Sequence, residues 1–391
     1  MTVIPPSLWR SPFRPFFLLG ALYGPLLILS WIPLYTGLQS ATGMSVNDLP
    51  ALHHQHEIVF GFSTAIIFGF ILTALPSWAG TKEIRGRSLV LLVLSWVLGR
   101  LSVALSAQLP LPLVIILDLS FPLMFAAMVA VDLFRMRYQI SLGVAMITAG
   151  FFVGNLCYYL GVLQQDLVLW QQGLRIGFYA IVFHCSITVG ALAPIFTENA
   201  LLEKGQPTAI GYVPILEWLS ALSIIILAIV DIAALAPAVI GTVALFSCLL
   251  HGVRLCRWHS LSITDIPIVW VLHFGYVWLV VCLLLWTLEN YGLAVGTQSW
   301  IHAFTVGGFG LMSLGLMTRV SLRHTGHEIR PHVAMVAAYL CMAAAALVRV
   351  ATSMAGLGSE ILLLSALLWV VPYVVYLALY GRLLLTPSMP Q

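Results

Sequence analysis

Histidine is the residue most able to do chemistry in this chain, and several of its eleven histidines fall in a telling pattern. His53-His54-Gln55-His56-Glu57 leads into a long apolar run, and His302 leads into another. Imidazole suits both iron and copper. Residues two apart on a helix differ by about 200° around its axis, so His54 and His56 do not grip one metal together. His53, His56 and Glu57 are spaced to share a face. Counting from His56, glycines fall at Gly61, Gly69 and Gly80; counting from His302, they fall at Gly307, Gly315 and Gly326, the same offsets of 5, 13 and 24. Glycine lets a flat macrocycle or a neighbouring backbone approach closely. Two such helices facing each other would clamp a planar ligand with one imidazole from each side, the geometry of a bis-histidine haem. With 31 glycines in the chain the match also arises by chance, and an eight-span separation is not a simple half-repeat.

Three arginines extend the pattern. Arg100, Arg175 and Arg349 lie in apolar surroundings and each requires a counter-charge or a polar cavity. Asp118 and Glu57 are protein partners available to Arg100, and haem propionates are another, since guanidinium grips carboxylates with two parallel bonds. Snorkelling to the membrane interface is the simpler expectation for Arg175 and Arg349. His184 and His273 stand deeper in apolar runs. His251, His259, His324, His327 and His332 lie near the opposite face. For His184 and His251 the plain expectation is a hydrogen bond to a neighbouring helix. His324-Thr325-Gly326-His327, with Arg319 and Arg323, is either a second, inner site or a solvated basic loop.

The elements that must position these groups follow from composition. Apolar and aromatic residues make up 61% of the 391 residues and charged ones 8%, against about 45–50% and 25% in soluble proteins. A formal net charge of +3 gives no reason to expect nucleic-acid binding. Apolar runs long enough to cross a hydrocarbon core of about 30 Å are expected near 15–37, 55–77, 88–108, 111–133, 139–163, 172–196, 212–231, 233–255, 266–289, 299–320, 332–354 and 360–385. Turn chemistry marks the breaks, as at Trp78-Ala79-Gly80-Thr81-Lys82 and Leu109-Pro110-Leu111-Pro112. The weakest break lies between Asp231 and Pro237. The first run, led by Arg10 and Arg14, is too long for a cleavable signal. The expected fold class is therefore all-α: a polytopic membrane protein of about twelve transmembrane helices, forming one bundle domain over 1–391.

Charge orients the bundle. Arg10, Arg14, Lys82, Arg85, Arg87, Arg135, Arg137, Lys204, Arg254, Arg257, Arg319, Arg323, Arg330 and Arg382 fall on one side, fourteen of the seventeen basic residues. The positive-inside rule makes that side, and with it both termini, cytoplasmic. His53 to Glu57, His302 and the three stray arginines then belong to the outer half. The six cysteines form no C-x-x-C pair and read as packing residues rather than disulfides or a zinc site.

Four stretches carry a resemblance. They are Pro12-Phe13-Arg14-Pro15-Phe16-Phe17; His54-Gln55-His56-Glu57-Ile58-Val59-Phe60-Gly61-Phe62, running on to Thr73-Ala74-Leu75-Pro76-Ser77-Trp78; Leu272-His273-Phe274-Gly275-Tyr276; and His302-Ala303-Phe304-Thr305-Val306-Gly307, continuing through Met317-Thr318-Arg319 to His324-Thr325-Gly326. In this series and order the chain resembles the NnrS family of bacterial membrane proteins. The resemblance implies haem and copper, and a part in denitrification and defence against nitric oxide. His54, His56, Glu57, His273, His302, Arg319 and His324 match the family pattern. One position departs from it: the family pattern has an arginine ahead of the stretch that here ends Pro194-Ile195-Phe196-Thr197, and this chain has Ala191.

The expectation is a multi-pass protein of the bacterial cytoplasmic (inner) membrane that binds haem b and copper and handles nitric oxide or its products. His56 and His302 are the expected haem ligands. His54 and His273 are candidates for copper or for bonding to a ligand, and His324 is a further candidate metal ligand. Arg100 and Arg319 are the expected charge partners, one on each side of the membrane. Turnover, and the electron donor it would need, stay open. A secondary transporter and a non-catalytic, metal-dependent nitric oxide sensor are the alternatives.

Overall fold

Twelve helices long and apolar enough to cross a membrane account for 291 of the 391 residues in the computed structural model, which describes residues 7–35 and 50–389. They are Phe13–Ile32, His53–Ala79, Arg87–Ala104, Leu111–Leu133, Tyr138–Gln164, Leu167–Glu203, Pro214–Ile232, Pro237–Cys256, Pro267–Asn290, Ser299–His324, Val333–Ala355 and Ser359–Leu385, numbered here as the first to twelfth spans. Each overlaps the run expected for it. Residues 36–37 of the first expected run, and the chain ends whose cytoplasmic side was expected, lie outside the described residues. The weak break is a true turn: Ala234 adopts a left-handed φ of 49°, and Pro237 starts the eighth span at the position that suits proline.

The sixth span departs most from expectation. It runs 37 residues, capped by Asp166, whose side chain accepts from the Val168 and Leu169 amides. It passes through Pro194 and ends at Glu203 instead of stopping near 196. Its last turns bury Ala200 and Leu201 against Ile263, Ile268 and Val269, which sustains helix past the proline.

Burial sorts the spans into two classes. The second, sixth and tenth are 89%, 72% and 78% buried over their most apolar stretch and the ninth 67%, whereas the other eight range from 39% to 50%. Every fourth helix, starting from the second, is therefore an inner one. These three inner helices carry His54, His56, His184 and His302. The less buried spans turn leucine and other large apolar side chains outward, as a lipid-facing surface requires.

The first and last spans meet at one face. Arg14 donates to the Leu383, Leu384 and Thr386 carbonyls at 3.0, 2.9 and 2.6 Å and to Ser388 Oγ at 2.9 Å. Only 2% exposed, this arginine supplies donors to the unpaired carbonyls at the end of the twelfth span, where a cation is also favoured by the helix dipole. All six cysteines are free.

Lipid supplies no hydrophobic drive between helices, so close approach through small residues must hold them together. The fifth and sixth spans show this: Gly150-x-x-x-Gly154 lies against Gly173-x-x-x-Gly177. A Cβ on Gly173 would stand 2.4 Å from the Tyr158 amide nitrogen and 2.5 Å from the Gly154 carbonyl oxygen. Gly173→Val should lower thermal stability in detergent by about 1–3 kcal/mol or more. Gly252→Ala, with nothing within 4 Å of its added methyl, should leave stability unchanged or raise it by up to about 1 kcal/mol.

Candidate functional site

The second and tenth spans share a backbone irregularity. Pro50–His56 is α-helical, Glu57–Phe62 is a π-helix, and α-helix resumes over Ser63–Ala79. In the tenth span Ser299–His302 is α-helical, Ala303–Phe309 is a π-helix, and α-helix resumes over Gly310–His324. A π-helical stretch starts directly after His56 and after His302, and such stretches frequently mark functional sites. Both spans end at a left-handed glycine, Gly80 with φ 64° and Gly326 with φ 83°. The repeat read from the glycine offsets thus has a counterpart in the backbone.

The glycines themselves do not form the expected cradle. A Cβ on Gly61 would meet Arg100 Nη1 at 2.8 Å and Glu57 Oε2 at 3.1 Å; one on Gly69 would meet Phe16 Cβ at 2.6 Å. Gly307 is filled by the Trp278 ring at 2.4 Å, and Gly315 by Val271 at 2.6 Å. The protein's own side chains occupy the space that a macrocycle would need there.

His56 belongs to a closed ring of four charged or chargeable groups. Its Nδ1 lies 2.8 Å from Glu57 Oε1; its Nε2 lies 2.9 Å from Asn155 Oδ1 and 3.3 Å from Asp118 Oδ2. Arg100 closes the ring, donating through Nη1 to Glu57 and through Nη2 to Asp118. Asn155 Nδ2 donates to Asp118 Oδ2 at 2.8 Å, which leaves the amide oxygen to accept from His56. With a carboxylate on one side and an amide oxygen on the other, both His56 nitrogens are donors. Tyr159 donates to Asp118 at 2.9 Å and Tyr23 to Glu57. His56, Glu57, Arg100 and Asp118 are 1%, 0%, 6% and 1% exposed, so the ring is sealed from solvent. It joins the first five spans. Gly61 makes it possible, because Arg100 stands where any side chain would.

His54 and His302 have other neighbours. His54 stacks on Trp31 with ring centroids 4.8 Å apart, and its buried Nδ1 has no hydrogen-bond partner among the described residues. His302 Nε2 accepts from Arg349 Nη2 at 2.6 Å, and Arg349 also donates to Ser353 at 3.0 Å. His302 lies within electrostatic reach of both His54 and Arg349. His53 is exposed.

The remaining expected residues stand toward the opposite end of the bundle. Thr197 gives its hydroxyl proton to the Ala193 carbonyl at 2.8 Å, so it accepts from His273 Nε2 at 2.9 Å, and Ser260 then donates to Nδ1 at 2.8 Å. Arg319 lies over the Phe196 ring at 3.7 Å. His324 is exposed and packs against Phe13. The structure does not bring His273, Arg319 and His324 to the outer histidines.

Two further arginines have partners that sequence reading missed. Arg175, 40% exposed, pairs with Asp231, which also accepts from Tyr179 at 3.0 Å, so it has a carboxylate partner as well as a route to the interface. Arg254, placed among loop charges by sequence, is 3% exposed; it pairs with Glu217 and donates to the Ser186 carbonyl at 2.7 Å and Tyr276 at 3.0 Å. Its guanidinium covers Gly190, where a Cβ would be 2.1 Å from Cζ. The segment beside Ala191 therefore has an arginine against it, supplied by the eighth span. Asn155, Tyr159, Asp231 and Glu217 all carried the signal that flagged Arg100, a polar group within an apolar run.

A family model described as NnrS protein matches residues 7–388. The chain belongs to the NnrS family. No curated protein matches it.

The donor set of this NnrS-family chain can be compared with the groups the resemblance implies. Among the described residues no three His, Cys, Asp or Glu side chains converge on one point. A haem brings four nitrogens of its own and asks for only one or two side chains. His54, with its unbonded buried nitrogen, and His302 nearby fit that smaller demand.

The ring makes a stability prediction. Asp118→Asn leaves one arm of Arg100 without a carboxylate in a sealed site and should cost about 3–5 kcal/mol. Asp132→Asn, which breaks a 3.8 Å pair with an arginine 60% exposed, should cost at most about 1 kcal/mol. Thermal unfolding in one detergent compares the two directly.

Proposed function

We propose that this protein binds haem b and copper in the bacterial cytoplasmic membrane, and there handles nitric oxide or its reactive products in denitrification and nitrosative-stress tolerance. The observation that carries the reading is family membership over residues 7–388. It is supported by the placement of histidines on the most buried helices and by the segregation of basic residues that orients the bundle. Haem iron, when bound, would supply a redox couple.

The chain's own groups have separate tasks in this reading. The inner helices exclude water from His56, and the lipid-facing surface admits an uncharged diatomic from the bilayer without a polar path. The ring around His56 holds the start of the second span in place by pairing every charge it contains. At the cytoplasmic end, Arg319 is a cation available to an anionic group and His273 has its tautomer set by Ser260 and Thr197.

Titration with nitric oxide under anaerobic conditions tests the reading. Protein purified after growth with ample haem and copper should contain both, by pyridine haemochrome and metal analysis, and nitric oxide should shift its absorption bands saturably. Consumption of nitric oxide with an added donor marks an enzyme, and a shift without consumption marks a sensor. Protein free of haem and copper that shows substrate-dependent counterflow in vesicles would replace this reading with a transporter.

A further inference from the structure

The two histidines of the second span that sequence alone could not rank point to different surroundings. His56 is directed at the fourth and fifth spans, where Asp118 and Asn155 engage its Nε2, while Glu57 beside it engages its Nδ1. A metal binds an imidazole nitrogen that carries no proton. His56 donates from both nitrogens and offers none.

His54 lies about 200° away around the helix axis. Trp31 fixes its ring by stacking, and its Nδ1 is buried without a hydrogen-bond partner among the described residues. Leaving such a group unsatisfied is costly, and a bound ligand would offset that cost. His302, on the backbone counterpart of the second span, supplies the complement. A guanidinium N–H can only donate, so the 2.6 Å contact from Arg349 identifies His302 Nε2 as a nitrogen with its lone pair available. Should a metal take that lone pair, Arg349 is released to pair with an anionic group beside the centre.

We propose that His54 and His302 are the protein ligands of a metal centre at the outer end of the inner helices, and that His56 anchors the second span and does not ligate. The centre takes neutral imidazole, and haem iron is its first candidate because two axial ligands complete it. This assignment rests on the metal-binding reading given above.

The test is metal and haem content with the reduced absorption spectrum, measured on the full-length protein. His54→Ala and His302→Ala should each lower bound haem by at least about tenfold. His56→Gln should keep the haem and the parent's reduced spectrum. If His56→Gln does not fold, His54→Gly decides the matter: added imidazole should restore haem and the parent's spectrum by occupying the vacated ligand position. A His54→Ala protein with full haem content and an unchanged reduced spectrum overturns the assignment alone. A parent protein without bound metal overturns the functional reading and this assignment with it.

Discussion

Four buried groups, Glu57, His56, Asp118 and Arg100, hold one another in a closed ring. Each would be very costly alone in a membrane interior, and each is tolerated because two others face it. The ring therefore acts as a lock on the first five spans rather than as four separable contacts. Its demands reach into the backbone. Gly61 lacks a side chain because Arg100 and Glu57 occupy that space, and the π-helix begins at Glu57 itself.

The same solution recurs at smaller scale. Arg175 draws Asp231 from the seventh span, and Arg254 draws Glu217 from that span at the opposite end. Arg14 uses carbonyls instead, joining the last helix to the first. Where lipid offers helices no hydrophobic reason to associate, these polar contacts and the glycine-lined approach of the fifth and sixth spans set neighbours and register. The outer histidines sit on the most tightly held part of this frame, the inner helices. A ligand group placed there keeps its geometry.

Much of the fold was legible because the bilayer dictates it: run length located twelve spans and basic residues located one face. The partners of Arg100 were legible for the same reason, since a charge in hydrocarbon must find its opposite, and Glu57 and Asp118 were within plausible reach. Direction was not legible. Nothing in His-Gln-His-Glu says which imidazole turns toward Asn155, a residue three spans away in the chain order. The matched glycines reported close approach correctly but not what approaches, and Phe16, Trp278 and Arg100 proved to be the answer. Arg14 and Arg254 resemble ordinary loop charges until their acceptors are seen. The π-helices follow the two histidines whose glycine offsets match, but nothing in those residue types announces a π-helix.

The central claim is that His56 is held by charges while His54 and His302 face a metal. A cryo-electron microscopy map of the haem-loaded protein, at a resolution that separates imidazole rings from metal density, tests it most directly. The predicted map has metal bonded to His54 and His302, with Glu57, Asp118 and Asn155 still closed around His56. Metal bonded to His56, with the ring opened to release it, would contradict the claim.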